Sequence, residues 1–139
     1  MAEGTLRFGD ISVGQELPAL DVPITTTLIV AGALASRDYT PVHHDRSAAV
    51  AQGMQDVFMN ILTTNGLVGR FVTDWTGPDA VVKGVSIQLG SPNLPGDTMR
   101  MSGTVAAVDH DNASIEVSVA GTNSWGNHVT GTVRVSLPR

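Results

Sequence analysis

Two aspartates and two histidines lie within eight residues of one polar segment, RDYTPVHHDR, which begins at residue 37. They are Asp38, His43, His44 and Asp45. A carboxylate and an imidazole held side by side can bind one water molecule and move its protons, which is general acid/base catalysis without a covalent intermediate. The spacing alone is also compatible with a structural role, in which Asp38 ends a turn and both histidines are solvated.

The same residue types are ligands for zinc or iron, so a metal site is an alternative hypothesis. Neighbouring side chains on an extended segment point to opposite sides, so only one of His43 and His44 can face a given site. A metal site made of two histidines and a carboxylate such as Asp45 would therefore need its second histidine from a distant part of the chain. We therefore predict no metal site. His110, in a predicted turn, and His128, at the start of a predicted strand, are expected at surface or edge positions.

Composition argues against several other classes of chemistry. The chain has no cysteine, which excludes thiolate nucleophiles and iron–sulfur clusters and fits a reducing cytosol. Glycine motifs that bind phosphate are absent, and so is the G-x-S-x-G elbow of serine hydrolases. The net charge is −5, from 8 Lys and Arg against 13 Asp and Glu, and aromatic residues make up 4%. Such a chain lacks the basic surface and stacking platforms of nucleic-acid binders.

No targeting or membrane-spanning segment is predicted. The first ten residues, MAEGTLRFGD, contain no apolar run of the kind that a secretory signal requires. The longest apolar run, Leu28 to Ala35, is too short to cross a bilayer. We predict a cytoplasmic protein with neither a nucleic-acid nor a membrane partner.

The chain length of 139 residues is typical of one compact domain, so a single domain over residues 1–139 is predicted. Residues 1–23 are predicted as an irregular leader with an edge strand around Leu17 to Val22. A short buried helix is predicted over Leu28 to Ala35, capped by Thr25 or Thr26 and ending near Ser36 or Arg37. Pro41 disfavours helical torsions at the residue before it, so the segment with the two histidines is predicted to be a loop.

A short helical turn over Ser47 to Ala51 and a break at Gly53 precede a longer pattern. Apolar residues then recur at helical spacing from Val57 to Trp75. Gly66 and Gly69 lie inside this pattern, which predicts that a sheet packs close to the helix backbone there. The alternative is a helix broken near residues 65 and 66.

The last part of the chain has the composition of β-strands. Alternating and β-branched residues are found at Val81–Leu89, Thr98–Val108, Ser114–Gly121 and His128–Leu137. The intervening segments have turn compositions, so the four strands are predicted to form an antiparallel meander. Helices followed by strands indicate an α+β fold, in which the long helix covers one face of the sheet.

The segment from Asp38 to His43, DYTPVH, resembles the signature of the MaoC-like, R-specific enoyl-CoA hydratases. That signature reads Asp-x-Asn-Pro-aliphatic-His and is followed two positions on by an acidic residue, here Asp45. A Gly-Asp turn at residues 95–98 and the order of loop, long helix and strands also fit, so the resemblance covers nearly the whole chain. It implies a hotdog fold, in which an antiparallel sheet wraps a central helix.

The resemblance implies that Asp38 and His43 activate a water that adds across the α,β double bond of an acyl-CoA thioester. In the family, backbone N–H groups near the start of the central helix stabilise the developing enolate, which here places Met59 and Asn60 at the substrate together with Thr40. Coenzyme A is then part of the substrate, and no separate cofactor is expected. Two departures stand out, because Thr40 replaces the usual Asn and Met59-Asn60 replaces the usual His-Gly.

Three stretches, RDYTPVHHDR, AVAQGMQDVFMNILT and FVTDWTGP, are similar to small actinobacterial subunits of heteromeric hydratases in this family. These subunits act in steroid side-chain degradation, so an enoyl-CoA from cholesterol catabolism is the implied substrate. The implied partner is a second MaoC-like chain, in a heterotetramer or, as an alternative, a homodimer.

Two other functions stay open from the sequence. One is a non-catalytic hotdog subunit that shapes the substrate tunnel of a heteromeric hydratase. The other, ranked last, is an acyl-CoA thioesterase, which would normally need a carboxylate on the central helix. The only candidates for that carboxylate, Asp56 and Asp74, lie near the two ends of the predicted helix.

Overall fold

A computed structural model describes residues 4–139; residues 1–3, part of the predicted leader, lie outside the described residues. Five antiparallel strands form one sheet in the order β1-β3-β4-β5-β2. The strands are β1 (Leu20–Pro23), β2 (Val81–Leu89), β3 (Thr98–Asp109), β4 (Ser114–Asn123) and β5 (Gly126–Ser136). The helices are α1 (Thr26–Ala35), α2 (Arg46–Ala51) and α3 (Ile61–Thr76). Short 3-10 turns span Phe8–Asp10 and Pro41–His43.

The α+β class predicted from the sequence is confirmed, but the four-strand meander is wrong. Strands β3, β4 and β5 follow one another in the sheet, whereas β2 lies at the far edge, beside β5. The two residues that follow β2 continue its pairing with β5. The N–H groups of Gly90 and Ser91 donate to the carbonyls of His128 and Asn127, respectively, both at 2.8 Å. The segment after Ser91 then carries the chain to β3, so it is a crossover and not a hairpin.

Helix α3 packs its apolar face on the sheet. Val68, Phe71 and Val72 of α3 are almost fully buried in the same core cluster as Val117 and Val133 of the sheet. Burial of apolar surface is the main force that holds the helix there. The long central helix covered by an antiparallel sheet thus has the arrangement that the resemblance implied.

The close contact between helix and sheet involves a glycine of the sheet. A Cβ atom on Gly103 of β3 would lie 2.9 Å from Cε1 of Phe71. A Cβ atom on Gly66 or Gly69 would meet nothing within 4 Å, so the prediction that a sheet packs against these two glycines is wrong. The alternative of a broken helix is wrong as well, because α3 is continuous through both.

Helix α3 begins at Ile61, four residues later than the apolar pattern predicts. Asn60 is its N-cap, with extended backbone torsions and a side-chain oxygen that accepts from the N–H of Thr63. The preceding residues, Phe58 and Met59, instead bond through their N–H groups to the carbonyls of Val42 and Asn93. Their apolar side chains therefore belong to a segment outside any helix, and the spacing of apolar residues cannot distinguish such a segment from a first helical turn.

The other boundaries are close to prediction. Thr25 caps α1 by accepting from the N–H of Leu28 at 3.0 Å, and α1 ends at Ala35 with Ser36 as its C-cap, close to the expected end. Helix α2 starts one residue early, at Arg46, because Asp45 caps it. The edge strand of the leader is confirmed, although it begins at Leu20. None of the helices in residues 4–139 has the length and apolarity needed to cross a membrane.

Candidate active site

The end of α1 positions Asp38. Arg37 adopts a left-handed conformation with φ +56°, and its N–H donates to the carbonyl of Leu34 at 3.1 Å. The N–H of Asp38 donates to the carbonyl of Ala33 at 2.9 Å. These two bonds form a Schellman motif, which satisfies the last carbonyls of the helix and turns the chain sharply. Asp38 is therefore fixed to the helix end by its own backbone.

The 3-10 turn Pro41–His43 brings His43 back to Asp38. Nδ1 of His43 lies 2.7 Å from the carbonyl oxygen of Phe58. A carbonyl can only accept, so we assign the proton of the neutral imidazole to Nδ1. The other ring nitrogen, Nε2, then carries a lone pair and lies 3.4 Å from Oδ2 of Asp38. The edge of the ring also contacts Phe58, with ring centroids 4.9 Å apart, and His43 is buried.

Hydrogen bonds hold Asp38 in its ionised form. Its Oδ1 accepts from the hydroxyl of Thr40 at 2.7 Å and from the N–H of Thr40 at 3.2 Å, and its Oδ2 accepts from Nδ2 of Asn60 at 3.1 Å. The Thr40 hydroxyl and then the Asn60 amide are the main causes that lower the pKa of Asp38 below its ordinary value. Partial burial opposes these effects, and the positive charge that His43 carries only when its ring is protonated adds the smallest lowering of this pKa.

Two acceptor atoms therefore converge on one point. Oδ2 of Asp38 and Nε2 of His43 are both without a proton of their own in this arrangement, and their side chains are 23% and 10% exposed. A water molecule placed against both could donate one hydrogen to each, which would leave an oxygen lone pair free for attack. An arrangement of this kind can act as a general base toward water.

Asn60 lies behind this pair and is only 2% exposed. Besides its bond to Asp38, Nδ2 donates to the hydroxyl oxygen of Ser36 at 3.0 Å. Its Oδ1 accepts from the N–H and the hydroxyl of Thr63, at 3.1 and 2.5 Å. The side chain expected at the substrate is thus fully occupied by protein partners. Thr40, expected there as well, directs its hydroxyl at Asp38.

Met59, also expected at the substrate, is buried. Its N–H donates to the carbonyl of Asn93 at 3.1 Å and is not available to a thioester oxygen. The backbone N–H of Asn60 has no acceptor within residues 4–139. It lies at the start of α3, where the helix dipole favours negative charge.

The neighbours of His43 have other roles. His44 is exposed, and its Nε2 lies 3.2 Å from the carbonyl of Tyr39. Asp45 uses its carboxylate to cap α2. Only one of the two adjacent histidines faces Asp38, as predicted, although the chain there forms the 3-10 turn Pro41–His43 and not the extended segment on which that prediction relied. The part of the chain from residue 4 onwards contains no group of three or more His, Asp or Glu residues that could hold a metal ion.

The two carboxylates considered for a thioesterase lie elsewhere. Asp56 precedes α3, where it accepts from the N–H of Val57 and lies 3.8 Å from Arg46. Asp74 is in the last turns of α3 and pairs with Arg70 at 3.3 Å. Neither of them contacts Asp38 or His43 in the hydrogen bonds and ion pairs of residues 4–139.

The expectation that His128 lies at a surface or edge position is wrong, because β5 lies between β4 and β2 in the sheet and the side chain is buried. His128 is 2% exposed, with Nδ1 2.7 Å from the carbonyl of Ser91 and Nε2 2.8 Å from the hydroxyl of Thr64. Burial lowers its pKa. Strand alternation gave no signal, because His128 and Val129 are adjacent and both buried, beside a bulge between Gly121 and Thr122. His110 is exposed, as expected.

Comparison with known proteins identifies the family. The sequence profile described as "MaoC like domain" matches residues 10–129. The chain belongs to the MaoC-like domain family. It is 50% identical, over 125 residues, to the 3-oxo-4,17-pregnadiene-20-carboxyl-CoA hydratase beta subunit of Mycobacterium tuberculosis. That alignment covers 90% of this chain and 95% of the relative.

Solved structures agree with this assignment. A chain of the ChsH1–ChsH2 complex from Mycobacterium tuberculosis superposes with a TM-score of 0.88 at 50% identity, covering 91% of this chain and 98% of that chain. The (R)-hydratase from A. caviae involved in PHA biosynthesis superposes with a TM-score of 0.85 at 22% identity, covering 93% and 98%. The second match shows the fold alone. The hotdog fold implied by the sequence is confirmed.

Proposed function

We propose that this MaoC-like chain is the catalytic subunit of a heteromeric enoyl-CoA hydratase. It adds water across the α,β double bond of a steroid side-chain acyl-CoA thioester. The observation that supports this most directly is the approach of Oδ2 of Asp38 to Nε2 of His43, 3.4 Å apart, in a chain half identical to a hydratase subunit.

In the proposed reaction, Asp38 and His43 hold one water between them. Its oxygen attacks the β-carbon of the enoyl group while one O–H proton passes to the pair. The pair then passes this proton to the α-carbon, so the product gains one water and the enzyme returns to its starting state. The same groups catalyse the reverse dehydration.

The negative charge that develops on the thioester oxygen needs a hydrogen-bond donor. The backbone N–H of Asn60, at the start of α3, is the candidate donor. The N–H of Met59 cannot serve, because it already donates to the carbonyl of Asn93. Coenzyme A enters as part of the substrate, and the proposal includes no other cofactor.

The proposed partner is a second MaoC-like chain. The relative from Mycobacterium tuberculosis is named a beta subunit, and the similar structure is a complex of two named chains. In this chain, β2 is at the edge of the sheet and pairs only with β5 among the described residues. Val81, Val82 and Leu89 of this edge strand are exposed apolar residues, as suits a surface that a partner covers.

The test is the loss of the absorbance of a conjugated enoyl-thioester when the chain is mixed with its co-expressed MaoC-like partner. A short-chain and a steroid side-chain enoyl-CoA are compared. We expect hydration of the steroid substrate, and a fall in kcat of about 10²- to 10⁴-fold for Asp38→Asn and for His43→Ala.

His44→Ala is the matched control, because it removes the adjacent imidazole, which faces the carbonyl of Tyr39 and not Asp38. It should keep wild-type activity. Full activity of both Asp38→Asn and His43→Ala in the assembled complex would mean that the partner performs the chemistry and that this chain only shapes the tunnel.

A further inference from the structure

Asn60 joins the end of α1, the start of α3 and the carboxylate of Asp38 through one buried amide. We propose that Asn60 is a positioning residue, whose amide N–H fixes the Asp38 oxygen that faces His43 in the orientation needed to take a proton from water. This inference rests on the proposed hydratase function and names a group that acts on the reaction through Asp38.

The orientation of the amide is determined by the cap of α3. Oδ1 of Asn60 accepts from the backbone N–H of Thr63, which is one of the donors that a helix start leaves without an internal partner. A flipped amide would place its NH₂ group against that N–H and its oxygen against the Asp38 carboxylate, so both contacts would be repulsive. The N–H of Asn60 must therefore point at Asp38.

The second N–H of the amide has an equally defined partner. The hydroxyl of Ser36 donates to the carbonyl of Gly32 at 2.7 Å, so its oxygen is left to accept from Asn60. Ser36 is the C-cap of α1, and Asp38 follows it in the Schellman turn. Asn60 thus holds the carboxylate and the helix end that carries it.

The position of Asn60 explains why its N–H matters for the chemistry as well as for folding. It donates to Oδ2, which is also the oxygen nearest to Nε2 of His43, whereas Thr40 donates to Oδ1. A donor on Oδ2 stabilises the ionised carboxylate and fixes its rotation about the Cβ–Cγ bond. Loss of this N–H donor should raise the pKa of Asp38 and allow its carboxylate to rotate away from His43.

Two substitutions separate the cap from the donor. Asn60→Ser keeps an oxygen that can cap α3 but removes the N–H that reaches Asp38. Asn60→Asp keeps the shape and the cap but places a second carboxylate against Asp38, and two carboxylates at this distance do not both ionise easily. Both variants are made in the complex with the MaoC-like partner.

Two readouts are followed: the pH profile of kcat/KM and the titration of the ¹³C-labelled Asp38 carboxyl by NMR. We expect the acid limb of the profile and the Asp38 titration to move to higher pH, in the order wild type, Asn60→Ser, Asn60→Asp. For Asn60→Ser we expect kcat at neutral pH to fall about 10- to 100-fold, the value of a hydrogen bond to a charged group, while KM changes little.

A purely structural role of Asn60 predicts a different result. In that case Asn60→Ser, which keeps the cap, would leave the acid limb and the Asp38 titration in place, and this result would overturn the inference. The Ser variant is sufficient for the test if Asn60→Asp fails to assemble. If the complex shows no hydration that depends on Asp38, the proposed function is wrong, and the NMR titration still decides whether Asn60 controls Asp38.

Discussion

Thr40 occupies the position at which the family signature has asparagine, and it holds one oxygen of Asp38 through both its hydroxyl and its N–H. The hydroxyl bond is the largest single cause of the lowered pKa of Asp38. In this chain, a threonine therefore braces Asp38 and favours its ionised form.

Thr40→Val tests this bracing, since it removes the hydroxyl and keeps both the shape and the backbone N–H. The pKa of Asp38 should rise, so hydration should fall first at acidic pH, by about 10-fold at the acid limb. Thr40→Ser keeps the hydroxyl and should behave like the wild type. The check is the pH profile of kcat/KM; an acid limb at the same pH in the Val variant would show that the hydroxyl does not control Asp38.

The sequence pointed to Asp38 and His43 but not to the group that holds them. Their spacing alone left a structural role open, and it was the resemblance to the family signature that picked out this pair, whose side chains approach to 3.4 Å in the structure. The bond from Asn60 to Asp38 spans 22 positions and forms only because the end of α1 meets the start of α3. Local spacing carries no information on such a contact, and the resemblance had placed Asn60 at the substrate.

At the scale of helices and strands, the sequence predicted types better than boundaries or order. Helix α1 was predicted almost to the residue, because its cap at Thr25 and its apolar run are both local signals. The start of α3 was missed because Phe58 and Met59 bond to loop carbonyls of residues 42 and 93. The position of β2 was missed for a similar reason, since antiparallel alternation does not specify which strand is the neighbour.

The glycines of α1 and α3 differ in a way that can be measured. Gly66→Ala and Gly69→Ala add a methyl group where nothing lies within 4 Å, so helix propensity should stabilise the chain by about 1 kcal/mol each. In α1, a Cβ on Gly32 would overlap the side chain of Thr63, which Asn60 holds in place. Gly32→Ala should therefore destabilise the chain by about 1 to 3 kcal/mol.

Thermal unfolding of the purified chain followed by circular dichroism compares the three variants. The Gly66 and Gly69 variants should melt about 3 to 5 °C higher than the wild type, and the Gly32 variant should melt lower. A rise in melting temperature for Gly32→Ala would contradict this prediction, because it would mean that the contact between α1 and Thr63 of α3 can widen without loss of stability. A loss of binding to the partner chain by the stabilised variants would place this face of α3 in the interface.

At the scale of the whole molecule, the titratable groups make stability depend on pH in two separate ranges. Hydrogen bonds lower the pKa values of Asp38, Asp97 and Asp109, led by the side chains of Thr40, Ser124 and Asn112 respectively. Each stabilises the fold above its ordinary pKa and loses that contribution as the pH falls below it. His128 acts in a higher range, because burial lowers its pKa from 6.5.

The sign for His128 follows from proton binding. Just below pH 6.5 the unfolded chain takes up a proton at this histidine, while the folded chain keeps it neutral between Ser91 and Thr64. The unfolded state then binds more protons, so the free energy of unfolding falls as the pH falls, by at most about 1.4 kcal/mol per pH unit for one group. This loss precedes the one caused by the carboxylates.

Urea unfolding of the purified chain at several pH values between 4 and 7.5 measures this dependence. His128→Asn keeps a donor for the carbonyl of Ser91 but cannot take up a proton, so it should be less stable at neutral pH and should lose much of the decline between pH 6.5 and 5. His110→Asn is the control, because His110 is exposed, and it should keep the wild-type slope. If the unfolding free energy of His128→Asn falls with pH as steeply as that of the wild type, another group causes the decline. If it falls less steeply, the buried His128, which links α3, β5 and the segment after β2, limits stability at mildly acidic pH.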